Sequence, residues 1–355
     1  MLRFAFCLTS GLLDSLLGSA TNAQERSDFV SDASHVVGTY QPVFGKNGAT
    51  DQVEAAERFL ATLNPSQKSS LRHALNSPER RLWTNLPAPA DAGGLRLGDM
   101  DENQIRAACD LMATLFSEQG YRKMCHIMLA DDQLLKGGRP RSGFGTENFS
   151  LVLFGQPSIR QPWAFQLDGH HVGVNVSVTG DARTVAPSFI GTQPQSFTLG
   201  GKKYRPLTVE IDDAYRLAAS LTDDQAKLAI QRPKRGFIRV GPGKDGKVPE
   251  SVGVACSTFS PEQKKVLIRL IGQWVNDLPA AQAKLRMTEL EEEIDQMRFA
   301  WNGPRQAGSD VSYSIQGPSL IIEYACQDLG GKPLEHLHTI YRDPTNEYGG
   351  QLDGK

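Results

Sequence analysis

The chain has 355 residues, with a hydrophobic fraction of 39%, a charged fraction of 22% and a formal net charge of −2. These values are typical of a globular protein with one large domain or two smaller ones, and they exclude a disordered or fibrous protein. Because the chain has no excess of Lys and Arg over Asp and Glu, we expect no nucleic-acid partner.

The N-terminus has the pattern of an export signal. A short positive region precedes a mostly apolar stretch over residues 4–17, and small residues follow up to Ala23. The apolar stretch is shorter than the ~20 residues that a membrane span requires. We therefore predict a signal peptide over residues 1–23, an exported protein without a membrane span, and a flexible extension over residues 24–49.

Four cysteines remain once the signal peptide is removed: Cys109, Cys125, Cys256 and Cys326. An even number of cysteines permits disulfides in an exported protein, but their spacing does not determine the pairing. The alternative is that all four are small buried residues with free thiols.

A local pattern occurs four times along the chain. An apolar residue precedes a capping residue, and Gln follows three positions after the cap. The four capping residues are Asn64, Asp101, Thr222 and Ser260. This is the arrangement of a capping box, so the pattern predicts helices that begin near residues 65, 102, 223 and 261. We interpret the recurrence as helix-start chemistry and not as a functional repeat.

Hydrophobic periodicity separates the mature chain into two parts. Residues 50–136 have the amphipathic pattern of helices, and a loop rich in Gly and Arg follows at residues 137–148. Residues 149–355 mix strand and helix patterns. The fold predicted from this order is α+β, with an antiparallel sheet, helices packed around it and a helical N-terminal segment.

Within the second part, residues 150–154 have the pattern of a buried strand. Residues 163–178 alternate between polar and apolar and predict a long strand. Residues 280–300 carry apolar side chains at helical spacing, and strand character returns over residues 311–342.

Four of the seven histidines form two close pairs, and the second pair is His336 and His338. In a strand, residues i and i+2 point to the same face, so these two imidazoles lie side by side. Two imidazoles at this spacing can bind one metal ion. Arg342 lies further along the same face, where it can bind an anionic group, and we take it as a candidate catalytic residue.

The first pair, His170 and His171, consists of adjacent residues. In a regular strand they point to opposite faces, so only one of them binds the same metal ion, unless Gly169 makes a bulge that redirects the other. Both are therefore candidate metal ligands.

Glu323 adds a carboxylate to the histidines. If a hairpin turns around Gly330 and Gly331, Glu323 lies opposite His338 and shares its face. An acid in an otherwise apolar strand is costly to bury without a partner. We therefore predict Glu323 as a metal ligand or catalytic base beside His170, His171, His336 and His338. Zinc is the favoured ion, and iron, manganese and copper also suit this set of ligands.

Four functions are compatible with such a site. The first is an exported metal-dependent enzyme, most simply a hydrolase, in which the ion lowers the pKa of a water molecule. The second is an iron- or copper-dependent oxidoreductase. The third is a metal- or ligand-binding protein without catalysis, and the fourth is a structural network of hydrogen-bonded histidines. The sequence does not identify a substrate.

These same segments carry a family resemblance. They are residues 154–157 with Trp163, Gly169-His170-His171 with Asn175, residues 317–323, His336-Leu337-His338, and residues 342–349. The chain resembles the domain of unknown function family numbered 3500 over about residues 50–350. The resemblance implies one continuous domain over residues 50–355. It implies no reaction and no catalytic residues.

Overall fold

The structure is a computed structural model that describes residues 28–87, 93–136, 142–328 and 331–352. The predicted signal peptide lies outside these ranges. None of the helices within them is both long and apolar enough to cross a membrane. Cys109, Cys125, Cys256 and Cys326 are buried and have free thiols.

Nine α-helices occur in the described ranges. They are α1 (Asp32–Thr39), α2 (Ala49–Thr62), α3 (Pro65–Leu71), α4 (Glu102–Leu115), α5 (Glu118–Gln133), α6 (Thr208–Ser220), α7 (Asp223–Ala229), α8 (Pro261–Val275) and α9 (Ala280–Glu292). The four predicted helix starts are confirmed at α3, α4, α7 and α8. In each helix the capping side chain accepts a hydrogen bond from the backbone amide of the Gln three residues later. The side chain of that Gln accepts a hydrogen bond from the backbone amide of the capping residue.

The strands form one large sheet and a separate hairpin. They are β1 (Arg72–His73), β2 (Leu95–Arg96), β3 (Ser150–Phe154), β4 (Trp163–Gly169), β5 (Val172–Thr179), β6 (Ala182–Thr184), β7 (Ser188–Thr192), β8 (Phe197–Leu199), β9 (Lys202–Tyr204), β10 (Ile230–Arg232), β11 (Val254–Ala255), β12 (Arg298–Asn302), β13 (Ser312–Gln316), β14 (Ile321–Cys326) and β15 (Leu337–Arg342). The order in the sheet is β1-β3-β4-β5-β7-β15-β14-β13-β12-β10, and β8 pairs with β9.

The sheet is mixed, whereas the sequence predicted an antiparallel one. Most neighbours are antiparallel, but β1 pairs with β3 and β10 pairs with β12 in parallel. In both cases long connections that contain two helices separate the partners. Such a crossover returns the chain in its original direction, which a short hairpin cannot do.

Two predicted elements have different boundaries in the structure. The long strand predicted over residues 163–178 is two strands, because the chain reverses at His170 and His171. The helix predicted over residues 280–300 ends at Glu292, and β12 follows. Met297 and Trp301 are four residues apart, a spacing that places them on one side of a helix and equally on one face of a strand.

The segment predicted as a flexible N-terminal extension contains helix α1. Ser31 and Ser34 form its capping box. Ala33, Val36 and Val37 are buried in the main hydrophobic core. This apolar side packs against the domain, so the described part of the extension belongs to the domain.

The two faces of the sheet are covered differently. One face carries apolar side chains such as Val174, Ile322 and Tyr324, and it shares the main core with the helices. The opposite face carries a second, smaller core, made by Trp83, Phe189, Val240, Ile321, Ile340 and Tyr348. Loops cover this second face, and it also carries polar side chains, including those of His338 and Glu323.

The order of elements repeats along the chain. The first half (residues 49–192) runs α2-α3-β1-β2-α4-α5-β3-β4-β5-β7, apart from the short β6. The second half (residues 208–342) runs α6-α7-β10-β11-α8-α9-β12-β13-β14-β15. The strand order of the sheet is therefore the same from either end, with β7 and β15 paired antiparallel at the centre. This arrangement has an approximate twofold axis, normal to the sheet, between β7 and β15.

The capping glutamines follow the same symmetry. Gln67 and Gln104 hydrogen-bond to each other in the first half, and Gln225 and Gln263 do so in the second. The recurring pattern in the sequence therefore marks helix starts, as predicted, and these starts also belong to a repeated structural unit.

Candidate metal centre

Three imidazoles converge at one end of the central strands. The Nε2 atom of His336 lies 2.9 Å from the Nε2 atoms of both His171 and His338. The ring planes are inclined by 64° between His171 and His336, 85° between His336 and His338, and 63° between His171 and His338. Because the lone pair of an imidazole lies in its ring plane, steeply inclined rings can direct three lone pairs to one point.

The backbone places these side chains with little freedom. His171 adopts a left-handed conformation with φ of 72°, which turns the chain from β4 into β5. Its amide donates to the Asn85 carbonyl at 3.0 Å, and its carbonyl accepts from the Gly191 amide at 2.7 Å. Gly191 also pairs with His338 in the sheet. A Cβ atom at Gly191 would lie 2.9 Å from Cδ2 of His338 and 3.1 Å from Cδ2 of His171. Only glycine leaves room for both rings.

Burial lowers the pKa values of two of these imidazoles. Burial, followed by the neighbouring His170, His338 and His336, lowers the pKa of His171 well below its usual range. Burial, followed by His336 and His170, lowers the pKa of His338 to about 3. A neutral imidazole is the form that binds a metal ion.

The three nitrogen atoms fit a transition-metal ion. Nitrogen atoms bound to tetrahedral zinc at ~2.0–2.1 Å lie about 3.3 Å apart, so the observed 2.9 Å requires only a small opening. Without an ion, the Nε2 atom of His336 faces two nitrogens at hydrogen-bond distance, although it carries either one proton or one lone pair. A shared cation satisfies all three lone pairs.

His170 lies beside this cluster and has a different partner. Its Nδ1 atom is 2.5 Å from Oδ1 of Asp131, which is fully buried on α5. The other oxygen of Asp131 accepts from the Gly145 amide at 2.6 Å. The ring of His170 stacks on that of His171, with centroids 3.7 Å apart and planes inclined by 29°.

The stacking determines what His170 can do. The ligand atoms of Asp131, His170 and His171 lie within 4.8 Å of one another, as do those of His171, His336 and His338. However, the lone pairs of two stacked rings lie in separate, nearly parallel planes and do not meet at one ion. The geometry therefore makes His171 the member of the first pair that joins His336 and His338, and it leaves His170 hydrogen-bonded to Asp131.

Glu323 lies apart from the histidines. The predicted register is wrong by two residues, because Ala325 pairs with His338 and Glu323 pairs with Ile340. Glu323 shares the face of His338 but lies about 7 Å further along the strand direction. Its carboxylate accepts from Nε of Arg239 at 2.6 Å and from the Arg239 amide at 2.5 Å. This ion pair provides the partner that the buried acid requires.

Arg342 is on the predicted face, but its guanidinium is hydrogen-bonded to other groups of the protein. The side chain is 1% exposed. It donates to the carboxylate of Glu347 and to the carbonyls of Val240 and Lys244, the latter two at 2.9 Å, and it also contacts Asp245. These bonds anchor the loop that covers this face of the sheet, about 13 Å along the strand from His338.

Sequence reasoning missed Asp131 and Asp168. In the sequence, Asp131 is one of several polar residues on an amphipathic helix. The two adjacent acids at the end of that helix are the signal that could have identified it. Asp168 is two residues before His170, and its Oδ1 atom has no hydrogen-bond partner in the described part of the chain. Burial raises the pKa of Asp168 well above its usual range.

Comparison with other proteins gives a family but no function. The chain matches no curated protein and no solved structure at a significant level. Residues 46–350 match the model of one family, which covers the described sheet and nearly all the helices. The chain therefore belongs to the family described as "Protein of unknown function (DUF3500)".

Proposed function

We propose that this protein is an exported metal-dependent enzyme, most simply a hydrolase, that binds one divalent transition metal through His171, His336 and His338. The observation that carries this proposal is the convergence of the Nε2 atoms of His171, His336 and His338 on one point. Export is proposed from the N-terminal sequence alone. Glu323 and Arg342, the predicted catalytic residues, have structural roles in this proposal.

Zinc is the favoured ion. Catalytic zinc sites commonly have three protein ligands and leave one position open, and three histidines are one such set. A zinc ion in this position supplies a Lewis acid that lowers the pKa of a water molecule. His338 is partly exposed, whereas His171 and His336 are buried. This exposure supports an open position and therefore an enzyme over a closed structural site.

Asp131 and His170 provide the acid–base chemistry in this proposal. The carboxylate of Asp131 accepts from Nδ1 of His170, which fixes the tautomer and leaves Nε2 as the atom that can accept a proton. The stacked rings place His170 directly beside the metal ligand His171. His170 thus takes the proton of an attacking water molecule, and Asp131 stabilises the resulting imidazolium.

An iron- or copper-dependent oxidoreductase is the second candidate. It is favoured by the ligand set, because the three converging side chains of the described chain are all imidazoles, and imidazole also suits copper and iron. Manganese fits less well, since it prefers oxygen ligands. A non-catalytic metal-binding protein requires the same three histidines, and the identity of the bound ion separates these alternatives.

The test is the metal content of residues 24–355, measured by elemental mass spectrometry beside a His336→Ala/His338→Ala variant. We expect about one equivalent in the wild type and almost none in the folded variant. Thr184→Ala is the matched control, since Thr184 lies on β6 at the other side of the approximate twofold axis. Zinc supports hydrolysis, and iron or copper supports redox chemistry. A folded wild type that binds none of these ions after reconstitution refutes the proposal.

A further inference from the structure

The two halves of the chain can be compared residue by residue at the turn that carries His170 and His171. Gly169 pairs with Val172 across this turn. In the second half, the Gly317 amide donates to the Leu320 carbonyl across the turn between β13 and β14. Each turn has two residues between its paired positions. Pro318 therefore corresponds to His170, and Ser319 corresponds to His171.

The same comparison gives the counterparts of His336 and His338. Ser177 lies five residues after Val172 and pairs with Thr184. Ala325 lies five residues after Leu320 and pairs with His338. Thr184 on β6 is therefore the counterpart of His338, and Ala182 is the counterpart of His336.

Helices α5 and α9 complete the comparison. Asp131 lies 14 residues after the N-cap of α5, Ser117, and Glu293 lies 14 residues after the N-cap of α9, Pro279. Asp131 bonds to His170 in the first turn. Glu293 accepts from the amide of Ser319 at 3.2 Å and from its hydroxyl at 2.7 Å. In both halves a carboxylate at the end of the helix holds the turn.

A charged side chain takes the place of the imidazoles in the second half. Arg286 lies seven residues after the N-cap of α9, where α5 has Met124. Its guanidinium donates to the hydroxyl of Ser319 at 3.0 Å and lies 3.2 Å from the carboxylate of Asp343. A cavity of about 800 Å³ opens here, and it is lined by Ala182, Thr184, Arg286, Glu293 and Ser319 among others.

We propose that the chain is a fused pair of related units and that this cavity is a latent metal site, the degenerate second copy of the histidine centre. This proposal builds on the proposed function. Each site is composite, because one half supplies the turn and the other half supplies the strand segment. The first site has three imidazoles and, in the described part of the chain, no Lys or Arg side chain between them, whereas the second has lost its imidazoles and gained Arg286. The native chain then binds one divalent transition-metal ion, and three histidines restored at positions 182, 184 and 319 create a second site.

The experiment restores the lost ligands. The variant carries Ala182→His, Thr184→His, Ser319→His and Arg286→Met, the last of which copies Met124 and removes the competing cation. Zinc and cobalt stoichiometry is measured by elemental mass spectrometry after dialysis. We expect two equivalents in this variant and one in the wild type. A folded variant that still binds one equivalent overturns the latent site.

A second background separates this proposal from the proposed function. The same four substitutions are made in the His336→Ala/His338→Ala variant, where we expect one equivalent. If the wild type binds no metal but this combined variant binds one, the latent site stands and the native metal site fails. If the combined variant folds and binds none, the latent site is refuted.

An experimental structure of the wild type provides the test if the substituted chains do not fold. Superposition of residues 49–192 on residues 208–342 should place Thr184 on His338 and His171 on Ser319. A displacement of either pair by as much as one strand spacing, ~4.8 Å, overturns the correspondence.

Discussion

The two halves of this protein have the same elements in the same order but different chemistry at the same turn. In the first half, the turn after β4 carries His170 and His171, and the facing helix carries Met124 and Asp131. In the second half, the corresponding turn carries Pro318 and Ser319. In both halves the fold places a turn against the end of a helix. The few side chains at this place determine its chemistry. Function here is a property of the site and not of the fold.

A difference in charge explains why the two turn positions cannot have the same function. The second position contains its own cation, because Arg286 is bound between Ser319 and Asp343 and also donates to Glu289. The first position has three imidazoles whose Nε2 atoms converge, and none of the described side chains places a cation between them. A metal ion fits the first position, and the ion pair of Arg286 already fills the second.

The strongest contrast is expected between Asp131→Asn and Glu293→Gln, which change corresponding residues. Asn can hold His170 in the wrong tautomer, so we expect the rate of metal-dependent hydrolysis of an activated aryl ester to fall by about 10²–10⁴-fold. Metal content should not change. Glu293→Gln should leave the rate unchanged, because it only removes a charge beside Ser319. A wild-type rate in the Asp131→Asn variant would remove His170 from the mechanism.

Gly191→Ala tests the close approach of the rings of His171 and His338, which belong to different halves. The added Cβ would lie 2.7 Å from the Leu337 carbonyl and 2.9 Å from Cδ2 of His338. The rings must shift, and we expect metal affinity, measured by chelator competition, to fall by about 10–100-fold, as for other changes that misorient ligands. Gly241→Ala is the control, since its nearest contact is an ordinary 3.7 Å. Equal affinities in the two variants would contradict the ring geometry.

Local sequence patterns predicted much of this molecule. The four helix starts follow from a capping residue and a Gln that accept hydrogen bonds from each other's backbone amides within one turn. The spacing of His336 and His338 predicted that their imidazoles lie side by side. These inferences require only neighbours in the chain.

The incorrect or missed predictions concern contacts between segments that are distant in the sequence. Glu323 was predicted opposite His338 from an assumed turn, and a shift of the turn centre by one residue moves the register by two. This shift keeps Glu323 on the predicted face and removes it from the histidines. Asp131 contacts His170 from 39 positions away, and no local pattern records that contact. The repeat itself was hidden because the halves share element order more than residue identity.

Asp132 provides a pH-dependent difference between the halves, because its counterpart 15 residues after the N-cap of α9 is Ile294. Burial raises the pKa of Asp132 from 3.8 to about 7. Its stabilising contribution is therefore fully present below pH 3.8 and is lost as the pH rises through 7. We expect Asp132→Asn to be more stable than the wild type at pH 8 by a larger margin than at pH 5, as measured by urea denaturation.

The control for this effect is Asp224→Asn, since Asp224 has a 92% exposed side chain. Its stability relative to the wild type should not change between pH 5 and pH 8. A pH-independent difference for Asp132→Asn would show that its carboxyl group is already ionised in the folded protein at pH 5.

The smallest effects on stability are expected for corresponding capping residues, and they should be equal in the two halves. Gln104→Ala and Gln263→Ala remove corresponding capping side chains, which donate to the carbonyls of Thr62 and Ser220, the last residues of α2 and α6. Each loses a cap and a partly buried hydrogen bond, so we expect the free energy of unfolding to fall by about 1–2 kcal/mol in each variant. The double variant should show the sum, because the two caps lie in different halves and share no partner. Unequal losses, measured by urea denaturation at one pH, would mean that the two halves share topology without sharing the energetics of the repeated unit.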